Sequence, residues 1–325
     1  MRIAAVGNYQ PEYSTENDVR KAFEYLGHEF IALQENEVTY ERVREEALKS
    51  DMLLITSTWD DALPLDEMIT TYYLCAKKGV PTATLHLDTF WPTSRGNRKW
   101  WLNPMFHTAY IFTADGQWPE EWKAFGKNHI WLPPAVRHDA AHFGVPQDEY
   151  KCDVAFVGSN GIGYHEDVWT YRKELVDKLR GICAKNGWSF KNPGGELDQP
   201  DNGKISRGEP MNNFYASAKL SVGDSLCIKK EKSTYWSDRA AEAPARGSLL
   251  IMPQIDALND MYDGEMPMYK WGDWEDLESK IRYWLEVDED TRFKKRQVLQ
   301  KIAAENHTYV NRVQTILDTV GLPKA

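Results

Sequence analysis

Three stretches hold residues whose types and spacing suit chemistry. In "YWSDRAAEAPARG", Arg239 and Glu242 stand three apart on one face at the start of a short helix, and Gly247 stops that helix before the apolar run "SLLIMP". A guanidinium placed so can bind a diphosphate, and a carboxylate can take both hydroxyls of a ribose. The plainer alternative is a surface ion pair between the two. In "VGSNGIGYHE", Gly158, Ser159, Asn160, Gly161 and Gly163 follow a strand and precede a helix. Their backbone N–H groups could face phosphate oxygens, or the glycines could only turn the chain. The third stretch closes the strand "PTATLHLD" with Asp88, a candidate general base for a hydroxyl, and His86 lies two residues earlier on the same strand face as its substitute. Asp88-Thr89 also reads as a turn or helix cap.

Behind Asp88 comes "TFWPTSRGNRKWW", where Arg95, Arg98 and Lys99 stand between Trp91 and the pair Trp100 and Trp101. Indoles stack on sugar rings or nucleobases and the cations between them meet phosphates, so the loop reads as an acceptor rim. Indoles packed into a lid with the cations in solvent is the other reading. The whole chain carries a formal charge of −10, so attraction to a polyanion would be confined to this rim.

These stretches must be held by the elements around them. Apolar runs alternate with helical periodicity: "RIAAVG", a helix through Val19 and Phe23 ended by Gly27, "HEFIAL", a charged helix, "DMLLITS", a helix over Met68 to Lys78, "PTATLHLD", "AYIFTAD" and "HIWLPPAV". That is the rhythm of a parallel sheet. Pro133-Pro134 and a polar run to Tyr150 interrupt it, and "CDVAFVGS" starts a second series that continues through "WSFKN", "MNNFYASAKLSVGDS" and "SLLIMP". A boundary near residue 145 is expected, giving residues 1–145 and 146–325 as two α/β domains, the second with the C-terminal helices. Two such sheets turn their carboxyl ends toward a cleft, where ligands of open α/β sheets bind.

At 325 residues, 42% hydrophobic and 27% charged, the chain suits two ordinary globular domains. Its start lacks the apolar core of a secretory signal, and no stretch has membrane-spanning length. Cys75, Cys152, Cys183 and Cys227 lack metal or redox spacing, so reduced thiols in a cytoplasm are expected. The glycine pattern departs from the dinucleotide fingerprint, which disfavours nicotinamide and flavin chemistry. His86, His107 and His165 are not at ligand spacing, and Asp288-x-Asp290 sits in a charged helical run that reads as solvated surface, so no metal is expected.

"YWSDRAAEAPARGSLLIMPQIDALNDMYD", preceded by "MNNFYASAKLSVGDS" and followed by "ENHTYVNRVQTIL", resembles the C-terminal half of spore-coat CgeB-type glycosyltransferases, within the wider group 1 glycosyltransferases. The resemblance spans residues 150 to 318 and extends more loosely to "IWLPPAVRHDAAHFG" in the first half. It implies a GT-B fold, two Rossmann-like α/β domains facing a central cleft, with the acceptor on the first and a nucleoside-diphosphate sugar, a UDP-sugar above others, on the second. It gives Glu242 the donor ribose, Arg239 the diphosphate, and Ser159 with its neighbouring glycines the loop over the phosphates, with helix dipoles and cations in place of a metal. Thr234 departs from relatives that carry a carboxylate eight residues before the ribose one. Asp224 and Asp238 are further positions of family type without an assigned role.

The reaction so implied is sugar transfer to an acceptor hydroxyl, with inversion if Asp88 deprotonates an in-line attacker. The acceptor is expected to be a hydroxymethylated base of phage-type DNA, or else a saccharide or protein glycan. A sugar-nucleotide epimerase and a non-catalytic glycan- or nucleic-acid-binding protein of this fold are the competing readings.

Overall fold

The structure is a computed structural model that describes residues 1–56, 63–88, 102–158, 170–194, 205–225 and 234–323. The chain divides into two compact units, Met1–Pro133 with Tyr309–Ala325, and Pro134–Thr308.

The first unit is built on six strands: β1 (Arg2–Gly7), β2 (Glu29–Gln34), β3 (Met52–Ile55), β4 (Thr82–His86), β5 (Tyr110–Thr113) and β6 (His129–Trp131). All pair in parallel, in the order β2-β1-β3-β4-β5-β6. Parallel strands need crossovers, here supplied by α1 (Thr15–Tyr25), α2 (Tyr40–Leu48), α3 (Leu65–Lys78) and α4 (Pro119–Ala124). Helices cover both faces, so β3 and β4 are buried along their whole length and read as unbroken apolar runs. Ala4 and Val6 join Val43, Leu53, Met68 and Phe106 in the core on one face. Ser14 caps α1 by accepting from Asn17 N at 3.1 Å.

The second unit holds β7 (Cys152–Ala155), β8 (Phe190–Lys191), β9 (Ala218–Val222), β10 (Leu250–Pro253) and β11 (Met268–Tyr269), all parallel, in the order β11-β10-β9-β7-β8. Its helices are α5 (Thr170–Asn186), α6 (Glu209–Ser217), α7 (Arg239–Ala245), α8 (Asp256–Met261), α9 (Trp274–Glu286) and α10 (Glu289–Asn306). Val154, Leu179, Leu220, Ile251, Leu277 and Ile281 form its core. The alternation expected from the sequence is present in both units, whereas α4, α8 and β11 escaped it, being too short to show a period.

The units differ from a division at residue 145. Segment 134–150 is tied to α6: Val145 N donates to Asn213 Oδ1 at 2.7 Å, and Gln147 N donates to Ser217 Oγ at 2.8 Å. The final helix, α11 (Tyr309–Val320), returns to the first unit. Val313, Ile316, Leu317 and Val320 make a buried stripe at helical spacing, the helix packs on α1, and Arg312 Nε donates to the carbonyl of Pro133 at 2.7 Å. The acidic Asp288-x-Asp290 pair is indeed a capped helix surface, Asp288 accepting from Thr291 N and Asp290 pairing with Lys294.

Gly247 ends α7 as expected, with φ +86°. A Cβ there would also overlap the ring of Phe143. Gly247→Ala should therefore destabilise the second unit by on the order of 2–4 kcal/mol, through backbone strain and overpacking together. Urea denaturation would check this; a cost below about 0.5 kcal/mol would mean that the ring moves aside freely.

Candidate functional site

In the second sheet the strand order reverses between β7 and β9, and a crevice outside the carboxyl ends of such a pair is where open α/β sheets place ligands. β7 runs into Phe156, Val157 and Gly158, and β9 runs into Gly223 and Asp224. Asp224 is 1% exposed and lies between two arginines: Arg172 Nε donates to Oδ2 at 2.6 Å, and Arg239 Nη1 donates to Oδ1. Burial alone would raise the Asp224 carboxyl, but Arg172 and Arg239 outweigh it and hold the group below the usual carboxylate range.

Arg239 opens α7 and is also buried. Its Nε donates to the carbonyl of Val157 at 2.7 Å, and its guanidinium sits 4.7 Å from the centre of the Phe156 ring. The surface pair between Arg239 and Glu242 is thus not what forms, because Asp224 takes the arginine. Gly158 has φ +148°, and a side chain there would crowd Arg239 Nη2, so glycine leaves that donor open.

A pocket of about 330 Å³ lies at this place, lined among others by Gly158, Pro193, Arg207, Tyr215, Arg239 and Glu242. Arg239 and Glu242, singled out from the sequence, are therefore brought together on one pocket wall, at 7% and 8% exposure. Arg207, which sequence reasoning missed, pairs with Asp238 at the half-buried edge. Asp238 also caps α7 by accepting from Arg239 N at 2.9 Å. Burial opposes the Asp238 charge, yet Arg207 and Arg239 keep its carboxyl below the ordinary range. Cation, carboxylate and glycine so arranged can hold a phosphorylated polyol. Ser159, Asn160, Gly161 and Gly163 lie outside the described residues.

The first sheet reverses in the same way between β1 and β3. His86, the last residue of β4, is 1% exposed, with its ring edge-on to Phe106 at 6.3 Å. Asp88, two residues beyond, is half-buried and the more accessible of the two. Trp91, Arg95, Arg98, Lys99, Trp100 and Trp101 lie outside the described residues. A carboxyl missed from sequence is Glu16, in the first turn of α1, a place where an acidic residue ordinarily serves the helix dipole. Burial, with the charges of Glu35 and Asp88 nearby, pushes Glu16 up from 4.5 to about 7. A Cβ on Gly7 would meet Glu16 Cγ at 3.0 Å, which places that side chain directly over the end of β1.

Asp224→Ala should destabilise the second unit by about 3–5 kcal/mol, because it strands two buried guanidinium groups. Equilibrium unfolding would show it, and a cost under about 1 kcal/mol would mean the arginines find other partners. For Glu16 the folded pKa is raised, so its contribution to stability is full below pH 4.5 and is lost as pH rises through about 7. Glu16→Gln stays neutral. It should match the parent protein below pH 4.5 and exceed its stability above pH 7 by on the order of 2–3 kcal/mol. A difference independent of pH across that window would exclude the shift.

Residues 160–318 match the model of the glycosyl transferase-like family. No curated protein matches the chain in sequence. Among solved structures, an alpha-glucosyltransferase in complex with UDP and a 13-mer DNA containing a central A:G mismatch superposes with a TM-score of 0.69 at 11% identity, over 99% of this chain and 100% of that one. HepE of Anabaena, in complex with UDP-glucose, gives 0.60 at 11% identity over 99% of both chains. AviGT4, a glycosyltransferase involved in avilamycin A biosynthesis, gives 0.56 at 12% identity over 99% of this chain and 97% of that one. The chain has the GT-B fold, two Rossmann-like α/β domains, and the stretch that matches the glycosyl transferase-like family includes Arg239 and Glu242.

Proposed function

We propose that this protein is a glycosyltransferase that moves a sugar from a nucleoside-diphosphate sugar, a UDP-sugar, to a hydroxyl on DNA carrying hydroxymethylated bases. The observation that carries the reading is the pairing of Arg239 and Glu242 on one wall of the pocket where the second sheet reverses its strand order. In this reading Glu242 accepts hydrogen bonds from the ribose hydroxyls, and Arg239 Nη2 donates to the diphosphate beside Gly158, with Ser159, Asn160 and Gly161 completing the phosphate loop. The arginines meet the diphosphate charge without a metal. The similar structures hold UDP with DNA in one case and UDP-glucose in another, which supports both halves of the proposal.

On the first domain Asp88 takes the proton of the acceptor hydroxyl, with His86 behind it in the strand. The hydroxyl oxygen then bonds to the anomeric carbon, and the bond from that carbon to the diphosphate oxygen breaks, leaving with its electron pair. Trp91, Trp100 and Trp101 stack on the acceptor while Arg95, Arg98 and Lys99 meet its phosphates. No helix among the described residues is long and apolar enough to cross a membrane. Cys75, Cys152 and Cys183 are buried and form no disulfide among the described residues, which suits a reducing compartment such as the cytoplasm.

Duplexes with and without hydroxymethylated bases, incubated with UDP-glucose and other UDP-sugars and read by mass spectrometry, test this directly. A sugar should be added only to the hydroxymethylated duplexes. Asp88→Asn should abolish transfer while UDP binding survives, and Glu242→Ala should weaken UDP by about 10- to 100-fold. Transfer to oligosaccharides alone would replace the DNA acceptor, and unchanged UDP affinity in Glu242→Ala would remove Glu242 from the site.

A further inference from the structure

Glu242 does not stand alone behind the pocket wall. Arg246, four residues on along α7 and 2% exposed, brings Nη2 to 3.9 Å from Glu242 Oε1. Arg246 Nη1 donates to Asn212 Oδ1. Asn212, on α6 and 1% exposed, has its own orientation fixed: Nδ2 donates to the carbonyl of Ala140 at 3.0 Å and to that of His142 at 2.9 Å. Two carbonyl acceptors admit only the amide nitrogen on that side, so the amide oxygen must face Arg246. The order runs from backbone carbonyls to amide to guanidinium to carboxylate, each member dictating the polarity of the next. Arg246 Nε makes no hydrogen bond although it is buried. A buried guanidinium with an unused donor and a long ion pair is costly as a mere filler of the core.

We propose that Arg246, held by Asn212, is the positioning residue that aims Glu242 at a ribose, and that this Asn212–Arg246–Glu242 chain makes the pocket select ribonucleoside over 2′-deoxyribonucleoside diphosphates. The proposal rests on the donor reading given above. A carboxylate held in one orientation accepts from two vicinal hydroxyls, and removal of one hydroxyl leaves a buried charged acceptor short of a partner. A carboxylate free to rotate loses that distinction.

The test is calorimetric titration with UDP and with 2′-deoxy-UDP. The unaltered protein should bind UDP at least about tenfold more tightly than 2′-deoxy-UDP. Arg246→Met keeps most of the volume, and should bring UDP down to within about threefold of 2′-deoxy-UDP while affinity for 2′-deoxy-UDP changes by less than about twofold. Arg246→Lys keeps a charge without the planar fork and should fall between; it decides the matter if the Met variant fails to fold. A variant that weakens both ligands equally, with the ratio preserved, overturns the role of Arg246 and leaves the donor reading standing. Absence of UDP binding in the unaltered protein sinks the donor reading, and equal affinity for both ligands sinks the ribose contact of Glu242; the proposal falls with either.

Discussion

The carboxylate of Asp224 is the point on which the second unit's site depends. It lies two residues beyond β9, and the two arginines that close on it come from α5 and α7. Arg239 adds a hydrogen bond to the carbonyl of Val157, two residues beyond the end of β7. One buried negative charge thus fixes two strand ends and two helices relative to each other. The cost of burying three ions is offset only because each has a specific partner, so any shift of one element exposes an uncompensated charge. That makes the crevice stiff without relying on apolar packing, which would have closed it.

In the proposed donor site, a chain of charge −10 would meet an anion through these few oriented groups. Arg239 is held by Asp224 through one edge of its guanidinium, and the remaining nitrogen faces the space left by the missing side chain of Gly158. The neighbouring Arg207 and Asp238 are matched in charge, as are Arg246 and Glu242. Attraction is therefore local and short-ranged, a matter of oriented donors in a partly desolvated pocket more than of net field. A nucleotide, with charge at one end and hydroxyls at the other, is the kind of ligand that such a sequence of groups can distinguish.

The first unit shows a related economy with opposite sign. Glu16 lies over the end of β1 with Glu35 and Asp88 nearby, and burial, helped by their charges, pushes its carboxyl up to about 7. Carboxyls gathered in this way are suited to receiving protons. The division of labour proposed for the two domains agrees with this contrast.

Much of the fold was legible in the sequence, because burial on both faces of a parallel sheet leaves unbroken apolar runs such as "MLLI" and "TATLH" that helical periodicity separates. Gly247 and the pair Arg239 and Glu242 could likewise be placed from local rules of helix ends and spacing. The assignment of α11 to the first unit was not legible, since a buried stripe states that a helix packs but not against what. Nor was the partner of Arg239: Asp224 lies fifteen residues earlier on another element, and nothing in local spacing links them. The raised Glu16 and the chain from Asn212 to Glu242 have the same origin. Sequence by itself determined the elements and the chemical types at their ends, because these follow from short-range sterics and periodic burial. Only the tertiary structure decided which charges meet, because ion pairing and desolvation depend on distances between segments that the order of residues does not encode locally.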